Sequence, residues 1–289
     1  MKVWLNGELV DASQAKLSVF DHGTLYGDGV FEGIRIYAGK IFQVAAHIDR
    51  LLRSADSIRL KMPYAKDELI EAMYQTLQAN GRRDGYIRLV VTRGAGNLGL
   101  SPFKCLQPGV FIIADTIEMY PRQMYEEGMP VIVAKTLRTS RTMLDPAIKS
   151  LNYLNNIMAK MEAVDAGAGE AIMLNDKGYV AEATGDNVFI VRSGVLVTPP
   201  VEAGFLSGVT RGVVMRLAGE LGIPVAQENF KPADLYTAQE CFLTGTAAEV
   251  IAVATVDGRN IGQGKVGPLT RKLMTAFRQF TQSPEAEGR

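Results

Sequence analysis

The spacing of apolar residues changes several times along this chain, and each change marks a structural element. Residues 2–5 and 8–10 alternate around Asn6-Gly7, two residues that tolerate the positive φ of a tight hairpin turn. Residues 30–37 and 40–44 read as strands about Ala38-Gly39. From 45 to 59 the spacing becomes helical, with Ile48, Leu51, Leu52, Ala55 and Ile58 on one face. His47, Arg50 and Ser54 fall together on an adjacent face. Pro63 closes that segment, and a second helix is predicted over 66–80 with Gly81 as its stop. Strands over 86–92 and 110–114 flank a Gly-rich loop, 93–109, of a length that usually serves function.

Residues 115–128 show no clear period and carry Pro121, which places a domain boundary there. The expected division is a small N-terminal α/β domain over 1–117, a connector over 118–128 and a larger domain over 129–289. The larger part opens with a strand over 129–135. A helix follows over 152–167, where Leu154, Ile157, Met158 and Met161 recur at helical spacing and read as core. Strands are predicted over 170–174, 179–183 and 187–191, with Asp176-Lys177-Gly178 as a turn. A turn that becomes a helix spans 208–219. Strands over 241–244 and 250–256 are separated by GTAAE, and a last helix covers 266–280. Residues 283–289 read as frayed. Strands and helices mix in both halves without a repeating βαβ unit, which predicts a mixed α/β (α+β) class.

At 289 residues the chain can bury a sizeable core without disulfides or metal. Its 31 basic and 31 acidic residues cancel, a poor fit for a nucleic-acid binder that must displace counterions. Two cysteines, Cys105 and Cys241, make no disulfide framework and fit a reducing cytoplasm. The opening MKVWLNGELVDA turns polar too early for a signal peptide, and no apolar run reaches membrane-spanning length. The expectation is a cytoplasmic protein that binds neither nucleic acid nor membrane. With His22 and His47 the only histidines, no residue set has metal-ligand spacing. No Walker loop or GxSxG is present, and GAGNLG is followed by a loop and a proline where a dinucleotide fold needs a helix.

Lys149 lies in AIKSLNYLNN, where Ala147, Ile148 and Leu151 favour a neutral, nucleophilic amine. Glu182 follows in YVAEATGDNVFIV, and a strand carboxylate there suits a protonated pyridine nitrogen. Lysine first and carboxylate later are the minimum parts of a pyridoxal 5′-phosphate site, although a single lysine or strand glutamate is more often a solvated charge. SGVTR (207–211) at a helix start and TGTAAE (244–249) at a strand end could each cradle a phosphate, or be an ordinary cap or turn. Arg50 could add a bidentate contact to that anion. YGDGVFEGIR (26–35) and YIR (86–88) mix aromatic, glycine and arginine residues, as suits an apolar pocket with a carboxylate anchor at Arg35 or Arg88.

As an ordered set, YGDGVFEGIR, HIDRL, YIRLVVTRGAGNLGL, IKSLNYLNN, EATGDNVF, SGVTR and GTAAE resemble the class IV, fold-type IV pyridoxal-phosphate aminotransferases. The branched-chain amino acid aminotransferases are the most similar. The resemblance runs from about Val3 to Phe280. It implies a two-domain, D-amino acid aminotransferase-like fold whose larger domain holds the cofactor. It also implies that Lys149 is the Schiff-base lysine and proton carrier, and that Glu182 is the pyridinium partner. Arg50, Val209, Thr210 and Thr246 match phosphate-binding positions, and Tyr153 matches the partner of the phenolic oxygen. Thr246 and Ala247 would offer N–H groups to the substrate α-carboxylate. Phe31 and Tyr86 would wall the side-chain pocket, with Tyr26 and Arg88 engaging the distal carboxylate of glutamate. The implied reaction is ping-pong transfer from leucine, isoleucine or valine to 2-oxoglutarate, by a homodimer or larger homo-oligomer. D-amino acid or (R)-amine transamination, 4-amino-4-deoxychorismate lysis and a non-catalytic metabolite-binding role remain the alternatives. The spacing in KSLNY is like that of the D-amino acid enzymes, but Leu98 and Leu100 stand where those enzymes carry an arginine and a histidine.

Overall fold

The computed structural model describes all 289 residues, which divide into two compact units. The first comprises Met1–Ile117 together with Ile148–Asn152 and Thr281–Arg289. Its elements are β1 (Lys2–Leu5), β2 (Glu8–Asp11), α1 (His22–Tyr26), β3 (Gly29–Tyr37), β4 (Lys40–Ile41), α2 (Val44–Ser57), α3 (Lys66–Ala79), β5 (Gly85–Thr92) and β6 (Gly109–Asp115). The strands form one sheet in the order β2-β1-β6-β5-β3-β4, antiparallel throughout.

The pleat of β3 sorts its side chains. Val30, Ile34 and Ile36 point to the face shared with Ile87, Leu89, Val91, Val110 and Ile112, and pack with Ile48, Leu51 and Ala55 of α2 and Leu69 and Met73 of α3. Each fully buried Ile or Leu contributes roughly 1.5–3 kcal/mol here. Glu32 belongs by its pleat to this apolar face, and is fully buried. Phe31, Gly33 and Arg35 lie on the opposite face with Tyr86 and Arg88, because Gly33 pairs with Arg88 and Arg35 with Tyr86.

The partner strand β4 covers only Ile36 and Tyr37, so the beginning of β3 keeps an open edge. Residues 149–151 dock there. Phe31 N–H donates to Lys149 O at 3.0 Å, Leu151 N–H to Gly29 O at 2.9 Å, and Val30 bridges Ser150 in antiparallel register. A Cβ on Gly29 would stand 2.6 Å from both the Leu151 side chain and Val91 O, so this docking needs glycine. The strand expected over 40–44 is therefore two residues long. Its last residue already starts α2, whose N-cap, Gln43, has no side-chain cap bond.

The C-terminal segment supplies that cap. Gln43 N–H donates to Ala286 O at 2.7 Å and Val44 N–H to Glu287 O at 2.8 Å, while Tyr74 bonds the Glu287 carboxylate. Residues 283–289 are thus pinned where fraying was expected, because their carbonyls satisfy the open end of a helix.

The second unit comprises Glu118–Ala147 and Tyr153–Phe280. It contains α4 (Arg122–Glu127), β7 (Met129–Val133), α5 (Leu154–Asp165), β8 (Glu170–Leu174), β9 (Val180–Ala183), β10 (Asn187–Arg192), β11 (Val195–Thr198), α6 (Val209–Glu220), β12 (Val225–Gln227), α7 (Pro232–Thr237), β13 (Glu240–Gly245), β14 (Glu249–Val256) and β15 (Arg259–Asn260), and most of α8 (Pro268–Gln282). Nine strands run in the order β12-β11-β10-β13-β14-β7-β8-β9, with β15 on β14. Three pairs are parallel: β11 with β12, β14 with β7, and β7 with β8. The central strands β10 and β13 are almost wholly buried and pair Phe189 with Phe242, whose rings stack at 5.0 Å.

The methionine stripe of α5 reverses the expectation of a core face. Leu154, Ile157, Met158, Met161 and Val164 are between 51% and 68% exposed, and the helix buries Asn156, Ala159 and Ala163 instead. Those alanines pack on Ala134, Ala171 and Met173. No helix of either unit is long and apolar enough to cross a membrane.

Candidate active site

In the first unit the site begins with the polar stripe of α2. The i, i+3, i+7 spacing aims His47, Arg50 and Ser54 at β3. Arg50 grips Glu32 with both arms, Nε to Oε1 and Nη2 to Oε2, each at 2.7 Å. His47 Nδ1 donates to Glu32 Oε2 at 2.8 Å, as an ionised carboxylate can only accept. Burial alone would raise the Glu32 carboxyl, but Arg50 and His47 outweigh it and hold the acid well below the usual carboxylate range. Burial pushes His47 down despite Glu32, so the ring stays neutral. Ser54 Oγ accepts the Lys149 N–H at 3.1 Å.

Lys149 O receives the Phe31 N–H, and the lysine Nζ stands 4.6 Å from the Phe31 ring centroid. Arg88 also lies 4.6 Å from the Phe31 centroid, and 5.6 Å from that of Tyr86. Gly33 makes this arrangement possible, since a Cβ there would stand 1.7 Å from the Tyr86 hydroxyl. The structure therefore gathers Lys149, Phe31, Tyr86 and Arg88 on one sheet face. Arg35, in register with Tyr86, sits 5.4 Å from the Tyr37 ring. Tyr26 ends α1 and donates its hydroxyl to Leu98 O in the long loop.

In the second unit Glu182 is 5% exposed, on β9. Its Oε1 accepts from Arg138 Nε at 2.7 Å and its Oε2 from Leu206 N–H at 3.1 Å. Arg138 is fixed in turn by Thr139 Oγ1 and Asn155 Oδ1. Tyr153 stands at the N-cap of α5. Val209 and Thr210 open α6, whose N-cap Gly208 offers no side chain to the free N–H groups. Thr246 and Ala247 form the turn between β13 and β14.

These two turns meet across Asp186-Asn187. A Cβ on Gly208 would stand 2.1 Å from Asn187 Oδ1, and one on Gly245 would stand 1.8 Å from Asp186 Oδ1. Asn187 pairs with Thr244, and the hydroxyls of Thr210 and Thr244 are both buried without a hydrogen-bond partner. Uncapped amides and unpartnered hydroxyls converging this way form a donor set for an anion with several oxygens.

Sequence reading passed over Arg138, Glu32 and the cluster around Asp186. Arg138 sits in a stretch with no periodicity, 44 residues before its partner, so spacing carries no sign of the pair. Glu32 did leave a signal, as the one charge inside VFEGI. Asp186 is 4% exposed with Oδ2 unpartnered. Glu170 beside it accepts from Tyr120 at 3.1 Å, Thr184 at 2.5 Å and Lys160 at 3.3 Å. Burial, reinforced by Glu170, pushes the Asp186 carboxyl from 3.8 up to about 7.

Comparison with known proteins agrees with this fold. The family model for class IV amino-transferases matches residues 29–256. A Methanocaldococcus jannaschii protein provisionally assigned as a branched-chain-amino-acid aminotransferase is 53% identical over 280 residues, covering 97% of this chain and 96% of its own. A D-alanine aminotransferase of Staphylococcus haemolyticus is 36% identical, covering 98% of both chains. The solved branched-chain aminotransferase of the archaeon Thermoproteus uzoniensis, with norvaline, superposes with a TM-score of 0.91. It is 42% identical over 97% of this chain and 94% of that one. A further solved branched-chain amino acid aminotransferase, complexed with N-(5′-phosphopyridoxyl)-L-glutamate, superposes with a TM-score of 0.94, at 38% identity over 99% of this chain and 96% of that one. This chain belongs to the class IV aminotransferase family and has its fold-type IV architecture.

The Asp186 cluster sets a stability profile. A carboxyl raised on folding stabilises the native state fully only below its unfolded value, and that contribution is lost as pH rises through the folded one. Native stability should therefore fall between about pH 4 and about pH 7. Glu170, Lys160, Glu182 and Tyr120 are the charged and titratable groups that face it. Asp186→Asn removes this dependence. Its unfolding free energy in urea, relative to the parent, should climb over that interval, by a few kcal/mol at most, and level off above it. An advantage of equal size at pH 5 and pH 8 would contradict the assignment.

Proposed function

We propose that the protein is a pyridoxal 5′-phosphate-dependent transaminase that moves the amino group of leucine, isoleucine or valine to 2-oxoglutarate. The observation that carries this reading is the seating of the Lys149 amine on the Phe31 ring, beside Arg88 and Tyr86. Relatives described as branched-chain enzymes support the donor class, and the 53% relative outweighs the D-alanine enzyme at 36%. Leu98 and Leu100, apolar and exposed, offer no charge for a carboxylate in the reversed orientation.

The donor set fits the cofactor. The α6 amides at Val209 and Thr210, the Thr246 turn and Arg50 would hold its phosphate, and the unpartnered Thr210 hydroxyl supplies another donor. Tyr153 would bond its phenolic oxygen. When bound, the cofactor supplies an electron-poor ring that takes up the charge left at the substrate α-carbon.

Lys149 would hold the cofactor covalently, and its amine would carry the proton between the substrate α-carbon and the cofactor side. Its rigid backbone, bonded at N–H to Ser54 and at O to Phe31, keeps the amine on one face of the reacting centre. Glu182 would hold the ring nitrogen protonated. Arg138 and Leu206 N–H keep that carboxylate immobile, so no reorganisation is needed as charge develops. The N–H groups of Thr246 and Ala247 receive the α-carboxylate.

Phe31 and Tyr86 present an apolar wall to a branched side chain. Arg88, with Tyr26, receives the distal carboxylate when glutamate or 2-oxoglutarate enters, and Arg35 borders the same face. One pocket thereby serves both substrates of a ping-pong exchange.

The working unit is proposed to be a homodimer or larger homo-oligomer. The exposed seam of Leu154, Ile157, Met158, Met161 and Val164 supports this, as do Leu98, Leu100, Phe103 and Leu106 on the long loop. Two free cysteines support residence in the cytoplasm.

Three outcomes are expected. Lys149→Ala abolishes multiple-turnover transamination, and sustained turnover in that variant would remove the lysine's role. Arg88→Ala loses a charge-assisted bond of about 1.5–3 kcal/mol, so kcat/KM for 2-oxoglutarate falls roughly tenfold to a hundredfold while leucine is barely affected. Equal losses for both substrates would refute the shared pocket. Sedimentation velocity should show a dimer or larger species, which Met158→Asp with Met161→Asp weakens; a monomeric parent would end that proposal.

A further inference from the structure

We infer that Glu32 and His47 are positioning residues that lock the guanidinium of Arg50 into the orientation in which it receives the cofactor's phosphate. This rests on the reading of Arg50 as a phosphate ligand.

The geometry is specific. Glu32 occupies a pleat position otherwise filled by Val30, Ile34 and Ile36, all essentially inaccessible. A carboxylate there has no water to solvate it, and persists only because Arg50 and His47 bond it. The two-armed bond to Nε and Nη2 fixes the guanidinium plane and one of its edges. The remaining N–H directions of the planar group then point away from Glu32 by construction. A flexible arginine would lose rotamer freedom on binding an anion, whereas one already clamped loses far less.

His47 completes the clamp. It is fully buried, and its Nδ1 bonds the same Oε2 that receives Arg50 Nη2. Its Nε2 is buried and has no partner. A ring serving only as core filler would be better replaced by an apolar one, since an unpaired buried nitrogen is costly. The placement makes sense when Nδ1–H is the working group, holding Glu32 in the rotamer that presents both oxygens to Arg50. Ser54, one turn further along the stripe, bonds the backbone of Lys149. A single helical face thus registers both the arginine and the lysine.

The test compares two ligands on the full chain stripped of cofactor: pyridoxal 5′-phosphate, and pyridoxal, which has the same aldehyde and no phosphate. Binding is followed by the absorbance of the lysine adduct. Glu32→Gln and His47→Ala should each weaken pyridoxal 5′-phosphate at least tenfold while changing pyridoxal less than twofold. His47→Asn, whose Nδ2 can stand in for Nδ1–H, should recover binding to within about threefold of the parent. Equal weakening of both ligands, or no weakening of either, would overturn the inference. Arg50→Gln separates it from the reading beneath. If that variant leaves the ratio of the two affinities unchanged, Arg50 is not a phosphate ligand and both fail. If it collapses the ratio while the Glu32 and His47 variants do not, the positioning role alone fails. Should Glu32→Gln not fold, the His47→Ala and His47→Asn pair decides, since neither alters a formal charge.

Discussion

The short antiparallel pairing of residues 149–151 with the open edge of β3 is the constraint on which the placement of Lys149 depends. Because Ser150 bridges Val30, the residues on either side of Ser150 fall on the face of Phe31, and the lysine amine comes to rest over that ring. A slip of one residue would send the amine to the apolar side of the sheet. Three local features prevent it: the shortness of β4, the absence of a Cβ on Gly29, and the Ser54 bond to the Lys149 amide. The placement of the Lys149 amine thus comes from backbone register.

Each unit buries one carboxylate against one arginine, and the pairs differ in their surroundings. Glu32 and Arg50 are bonded by both arms and share a neutral histidine, an arrangement that fixes direction. Glu182 divides its oxygens between Arg138 and a backbone amide, which fixes position. Buried pairs of this kind add little net stability, since desolvation offsets their attraction, yet losing one partner costs several kcal/mol. Their presence is better explained by what they orient. Asp186 is the counterexample, a buried carboxyl pressed on Gly245 without a cation of its own, and it is accordingly driven toward its protonated form.

Much of the fold was legible because periodicity reports local geometry. The Asn6-Gly7 hairpin, the helices α2 and α3, and the strands β5 and β8 lie within two residues of where apolar spacing puts them. Spacing does not report what covers a face, which is why the α5 stripe read as core and proved exposed. Nor does it report long-range caps, so the C-terminal segment that closes α2 looked frayed. The two-residue β4, the short β11 and β12, and the six-residue α4 and α7 are too brief to show a period. At the candidate site, the ordered motifs pointed to Lys149, Glu182 and the turns at 207–211 and 244–249, but Arg138 is joined to Glu182 only by tertiary contact.

Covalent attachment of the cofactor aldehyde to the amine that β3 holds over Phe31 is the feature on which the proposed function depends. Borohydride reduction of the holoprotein, followed by peptide mass mapping, tests it most directly. One stable pyridoxyl adduct is expected, on the peptide that contains Lys149. Labelling confined to other lysines, or no labelling of a protein incubated with pyridoxal 5′-phosphate, would contradict it.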